Sequence, residues 1–129
     1  MSARDAWREL EIIHADLDDP PVHLIVLRGI PPVWDVGCAR LKAAFARAGC
    51  RDLVVDVGGL RYCDEDLLVM LLHAHACHRL VLVGPVCATM RLRLDMTGTS
   101  AVFTVRFNLA NALAHLRSDP VAGPAEKSR

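Results

Sequence analysis

Residues 51–77, RDLVVDVGGLRYCDEDLLVMLLHAHAC, decide how the chain is read. The apolar run Leu53-Val54-Val55 leads into Asp56 and then into Gly58-Gly59, a pair that reads as a tight crossing. An acidic cluster follows, Asp64-Glu65-Asp66, and then an apolar segment without a break. That order predicts a buried strand, a turn and a helix whose first turn is acidic. With Asp64 as the helix cap, Glu65 and Asp66 meet the positive end of the helix dipole, at about 0.3–1 kcal/mol each. That structural account suffices for three acids here. The same carboxylates also place fixed negative charge at the edge of whatever face the helix shows.

Stepping about 100° per residue from Asp66 sorts the helix into two sides. Leu67, Leu68, Leu71, Leu72 and His75 fall on one side and are expected to pack on the sheet. Asp66, Met70, His73 and Cys77, with Val69 at the margin, fall on the other. This second side is either covered by another helix or is a contact surface, to which methionine adapts well.

Upstream, residues 8–16 alternate loosely, with Leu10 and Ile12 on one side and Glu9 and Glu11 on the other, as in a half-buried edge strand. Asp18-Asp19-Pro20-Pro21 is a turn, and residues 22–28, VHLIVLR, form a second strand antiparallel to the first. Gly29-Ile30-Pro31-Pro32 ends it. Asp35 is placed to cap a helix running to Ala48, with Gly49 as its stop. The strand over 53–57 is apolar on both faces, as expected when helices cover both sides of a sheet.

Downstream, Leu80-Val81-Leu82-Val83 is a further buried strand. Gly84-Pro85 opens a third helix that ends near Gly98, where Thr97, Thr99 and Ser100 supply turn hydroxyls. Residues 102–105 form a short last strand, and Asn108 caps a final helix over 109–116. His14, His23 and His115 read as surface or edge residues. Residues 118–129 read as a disordered tail of proline, glycine, alanine and charge. The order ββαβαβαβα implies one α/β domain over residues 7–117, with a mixed sheet of four to five strands, about four helices and right-handed crossovers.

Composition excludes several classes. The chain has 129 residues with 53% apolar content, enough for one domain with a real core. Fifteen basic and fifteen acidic residues cancel, which argues against direct nucleic-acid binding. No apolar run reaches the roughly 18 residues of a membrane helix. Five cysteines (Cys38, Cys50, Cys63, Cys77, Cys87) without a CxxC pair suit reduced thiols and a cytoplasmic setting.

Two catalytic readings were weighed against a non-enzymatic one. A metal site would draw on His73, His75, Cys77 and His78, but His73/Cys77 and His75/His78 lie on different faces, and catalytic zinc needs three converging ligands. A phosphoacceptor at Asp56 would need an acid pair and a nearby lysine, whereas the only lysines are Lys42 and Lys127. Asp56 fits better as a brace for Gly58-Gly59. No catalytic residue, metal or cofactor is expected.

Three stretches in order, VVDVGGLRYCDEDLLVMLL (54–72), RLVLVGPVCATMRLRLDMTGT (79–99) and FTVRFNLANALAHL (103–116), resemble the STAS domain of bacterial anti-sigma factor antagonists. The resemblance spans residues 7–116. It implies a STAS-type fold and a protein partner, an anti-sigma factor with a kinase fold, and it leaves room for a homodimer. In that family the central helix opens with Asp-Ser-Ser/Thr-Gly-Leu, and the second hydroxyl is phosphorylated by the partner kinase. By position Asp64 matches the family's Asp, Glu65 the first hydroxyl and Asp66 the phosphorylated one, while Leu67 replaces the glycine. No Ser or Thr occurs between Ala3 and Ala88. The phosphoswitch therefore cannot operate at this helix. Two carboxylates stand where a phosphate of about −1.5 to −2 charge would be added. Leu67 is expected to add bulk where a partner docks. After the second strand, Gly29-Ile30-Pro31-Pro32 stands in place of the family's Gly-Glu-Leu-Asp, so the acids that the family carries in that loop are missing here. The resulting expectation is a non-enzymatic interaction module. Its partner would dock on Asp64, Glu65, Asp66, Val69, Met70 and His73, with Trp34 on the neighbouring loop as an aromatic anchor.

Overall fold

A computed structural model describes residues 10–30 and 36–118; the side chains of residues 36–38 are outside it. The strands are β1 (Glu11–Asp18), β2 (Pro21–Gly29), β3 (Asp52–Leu60), β4 (Leu80–Val83) and β5 (Thr104–Arg106). The helices are α1 (Val36–Ala46), α2 (Glu65–Cys77), α3 (Ala88–Thr97) and α4 (Leu109–Ser118). The sheet runs β1-β2-β3-β4-β5, with β1 antiparallel to β2 and the other pairs parallel. The expected order and the mixed sheet are both present.

Strand alternation divides the core in two. Ile25, Leu27, Leu53, Val55, Val57 and Leu82 point to one side, where they meet Leu41 and Phe45 of α1, Leu67, Leu68 and Leu71 of α2, and Met90 and Leu94 of α3. Val22, Val54, Val81 and Val83 point to the other side, where Ala112 and Leu116 of α4 cover them. Helices on both faces explain why β3 and β4 carry no polar alternation. At the start of β3 and β4, Arg79 grips Asp52 through Nη2–Oδ2 at 2.7 Å and also donates to the Leu116 carbonyl at 3.0 Å, tying two strands to the end of α4.

Several boundaries differ from the sequence reading. β1 spans Glu11–Asp18, two residues beyond the expected end; Leu10 is buried just before it. The Gly58-Gly59 pair lies inside β3, at an irregularity in the β2–β3 register, rather than in a turn. Its closeness to neighbours explains the glycines: a Cβ on Gly59 would lie 2.9 Å from Arg28 Cγ. Asp56 braces the pair as expected, its Oδ1 accepting from Gly58 N–H at 2.9 Å. α1 ends at Ala46, before Ala48, and its proposed cap Asp35 lies outside the described residues. α3 begins at Ala88 with Cys87 as N-cap, because Gly84 (φ +113°) and Pro85 belong to the strand exit. The last strand is 104–106, not 102–105, and α4 includes Ser118. Asn108 caps α4, its Oδ1 accepting from Asn111 N–H at 2.8 Å. His23 is the clearest correction. It is 2% exposed, because β2 turns it to the same inner side as Ile25 and Leu27, and Asp16 accepts from its Nδ1 at 2.6 Å. Residues 119–129, including most of the expected tail, lie outside the described residues.

Two glycines with positive φ separate backbone strain from steric contact. Gly98 ends α3 in the left-handed region with nothing near its absent Cβ, whereas a Cβ on Gly84 would meet the Gly58 backbone at 2.7 Å. Gly98→Ala is expected to cost about 1 kcal/mol from conformation alone, and Gly84→Ala about 3 kcal/mol because overpacking adds to it. Urea denaturation of the two variants measures the difference.

Candidate functional site

The start of α2 is held from three directions. Asp64 has extended backbone (φ −92°, ψ −179°) and its Oδ1 accepts from Leu67 N–H at 2.9 Å, a capping geometry that satisfies one of the free donors of the first turn. One residue earlier, Cys63 N–H donates to Thr89 Oγ1 at 2.9 Å, and the Cys63 carbonyl accepts from Arg93 Nε at 2.9 Å. Both partners are on α3. The Cys63 side chain is fully buried, and burial pushes its thiol up to about 12. The connection from β3 to α2 is thus pinned by backbone bonds that do not use its exposed side chains.

Leu67, Leu68, Leu71 and Ala74 are buried against the sheet. Leu67 is only 2% exposed, which corrects the expectation that it adds bulk at a docking surface: at the third helical position its side chain turns into the core. Leu72 and His75 are half-buried, and the His75 ring meets Phe103 edge-on with centroids 5.6 Å apart.

Glu65, Asp66, Val69, His73 and Cys77 are exposed on the outer side, Val69 at 56%. Neither Glu65 nor Asp66 forms an ion pair among the described residues. Asp64 is half-buried, its carboxylate engaged in the cap. Met70 is half-buried rather than open, because α1 stands beside it. Between the two helices runs a groove of about 600 Å³, walled by Phe45 and Ala46 on one side and Val69, Met70 and Ala74 on the other. Lys42, His73, Cys77 and His78 line its remaining wall. On this face α1 covers the flank, and the acidic end stays exposed. Trp34 lies outside the described residues. The contributions of Thr89 and Arg93 were missed because no local pattern in α3 announces a bond to a residue 26 or 30 positions away.

The catalytic alternatives find no constellation. No group of three His, Cys, Asp or Glu side chains is arranged to hold a metal among the described residues. Asp56 shares the side of β3 that bears Val54, whereas Lys42 lines the groove on the opposite side of the sheet. No helix among the described residues is long and apolar enough to cross a membrane.

Asp64→Ala is expected to lower stability by about 1 kcal/mol through loss of the cap, and Asp66→Asn by only a few tenths through the dipole, both read from urea midpoints. A thiol reagent at neutral pH should label the exposed Cys50 and Cys77 quickly and leave Cys63 unmodified until the protein unfolds, as mapped by mass spectrometry.

Neither a protein-family model nor a curated protein matches the sequence. Solved structures do match. An anti-sigma factor antagonist from Mycobacterium paratuberculosis superposes with a TM-score of 0.66 at 17% identity, covering 84% of this chain and 94% of that one. An anti-sigma-factor antagonist (STAS) domain protein from Planctomyces limnophilus gives 0.62 at 15% identity, covering 85% and 99%. Together with the sheet covered by helices on both faces and the pinned central helix, these likenesses identify the architecture: the chain has the STAS-type fold of the anti-sigma factor antagonists.

Proposed function

We propose that the protein is a non-enzymatic, partner-binding regulator of the anti-sigma factor antagonist kind, and that its partner docks on the opening of α2. The observation that carries this reading is the pair Glu65 and Asp66: exposed, without ion pairs among the described residues, and one turn from an exposed Val69. Charge on such a rim selects and steers a complementary partner, and the apolar groove behind it supplies area that excludes water. The partner's docking face would carry Arg or Lys opposite the two acids. An anti-sigma factor with a kinase fold is the partner that the resemblance implies. The working compartment would then be the cytoplasm.

By the resemblance, Asp66 matches the hydroxyl that the family phosphorylates, and its carboxylate would hold a fixed charge there. Carboxylates lack the tetrahedral oxygens of a phosphate, and the imitation is partial. On this reading the family's Ser/Thr phosphoswitch does not operate at this turn, which carries no hydroxyl.

Proteins cross-linked to the chain in cell extract and then purified provide the partner for a titration. Asp66→Arg should weaken binding by more than about tenfold, equivalent to at least about 1.4 kcal/mol, while Asp64→Ala acts mainly through stability. Unchanged affinity in Asp66→Arg would remove this face from the account. A switch kinase of the related systems should phosphorylate Asp66→Ser and not the wild type, whose α2 carries no Ser or Thr.

A further inference from the structure

Along the edge strand β1, three side chains form a relay that the docking face does not use. His23 is buried; its Nδ1 donates to Asp16 Oδ1 at 2.6 Å, and its Nε2 lies 3.2 Å from His14 Nδ1. A carboxylate on one nitrogen of His23 fixes its tautomer, so Nε2 accepts and His14 Nδ1 donates. That leaves Nε2 of His14 as an acceptor. The His14 ring lines a cavity of about 230 Å³ whose walls also include Ile12, Ala43, Arg40 and Arg47. Both arginines come from the α1 side, and neither forms an ion pair among the described residues. Drug-sized ligands need about 300–1,000 Å³, so this volume suits a small ion or the end group of a metabolite.

We propose that this cavity binds phosphate, free or as a small phosphate monoester, between Arg40, Arg47 and His14. The guanidinium groups supply charge-assisted donors to the negative oxygens. His14 Nε2 takes the remaining oxygen through one shared proton, which comes either from the monoanionic phosphate or from an imidazolium. Charged and titratable groups around His14 are Asp16 on β1, His23 on β2, Arg40 and Arg47 from the α1 side, and Arg51, which pairs with Asp18 at 3.5 Å. Burial, and then the charge of Arg47, hold the His14 imidazole below its ordinary value, so the empty site keeps a neutral ring at neutral pH. A hydrogen bond from His23 holds the Asp16 carboxyl below the usual range, so the relay's anchor stays ionised there.

This arrangement discriminates between oxyanions by their protons. Phosphate can bring a proton to a neutral His14, whereas sulfate cannot and must wait for the ring to be protonated. Isothermal titration of the full chain with inorganic phosphate and with sulfate tests this. At about pH 7.5 phosphate should bind at least about tenfold more tightly than sulfate, and the gap should narrow as the pH is lowered and His14 takes up its proton. His14→Gln should abolish the pH dependence of sulfate binding, and Arg40→Gln, a change on an exposed helix surface that preserves the fold, should weaken both anions about tenfold or more. Below about pH 6, where both phosphates carry a proton, tighter binding of glycerol phosphate than of inorganic phosphate assigns a monoester, and equal or weaker binding assigns the free ion. No phosphate binding up to about 10 mM, equal binding of the two anions at about pH 7.5, or unchanged affinity in Arg40→Gln overturns the proposal. None of these outcomes depends on the docking face at α2.

Discussion

The backbone of Cys63 is the fixed point from which the rest of the surface takes its geometry. Its N–H and carbonyl are both bonded to α3, through Thr89 and Arg93, and the next residue caps α2. A buried peptide group that lost these partners would cost more than an ordinary hydrogen bond contributes, because nothing nearby replaces water. The clamp therefore decides where α2 begins, and with it which carboxylates stand outside. Four buried residues of α2 then lock the helix's rotation against the sheet. Position and rotation together leave Glu65 and Asp66 no direction except outward.

That outward pair gives the fold its regulatory reading. Side chains at the first two helical positions are favoured there by the dipole whether or not anything binds them, so their presence alone argues only for a stable helix. The docking role proposed for them rests on the combination with Val69, which no structural requirement places in solvent, and with the groove that α1 leaves beside Met70. The relay of Asp16, His23 and His14 lies across β1 and β2, apart from this face.

Much of the fold was legible in residues 51–77 because strand and helix periods are local properties. The apolar β3, the capping Asp64 and the exposed acids are each visible within a few positions. The faces of α2 were legible for the same reason, apart from Met70, whose burial depends on where α1 lies. What was not legible came from contacts between distant segments. His23 looked like an edge residue because strand alternation does not say which side a polar residue takes when a carboxylate from the next strand can satisfy it. Gly58-Gly59 looked like a turn, since glycine pairs mark turns more often than close approaches between strands; here the crowding comes from Arg28 and Gly84. Leu67 looked like an addition to the docking surface because alignment to a glycine fixes a position without fixing a direction. The start of α3 slipped because Gly84 and Pro85, which belong to the strand exit, imitate a helix opening.

The central claim is that the opening of α2 is the surface a protein partner covers. Amide hydrogen exchange of the chain, alone and in complex with its cross-linked partner, tests it most directly. The account predicts new protection confined to the backbone around Glu65, Asp66, Val69 and His73, and to the facing residues of α1. Protection that appeared instead on β5 or α4, with the α2 opening exchanging as in the free protein, would contradict it.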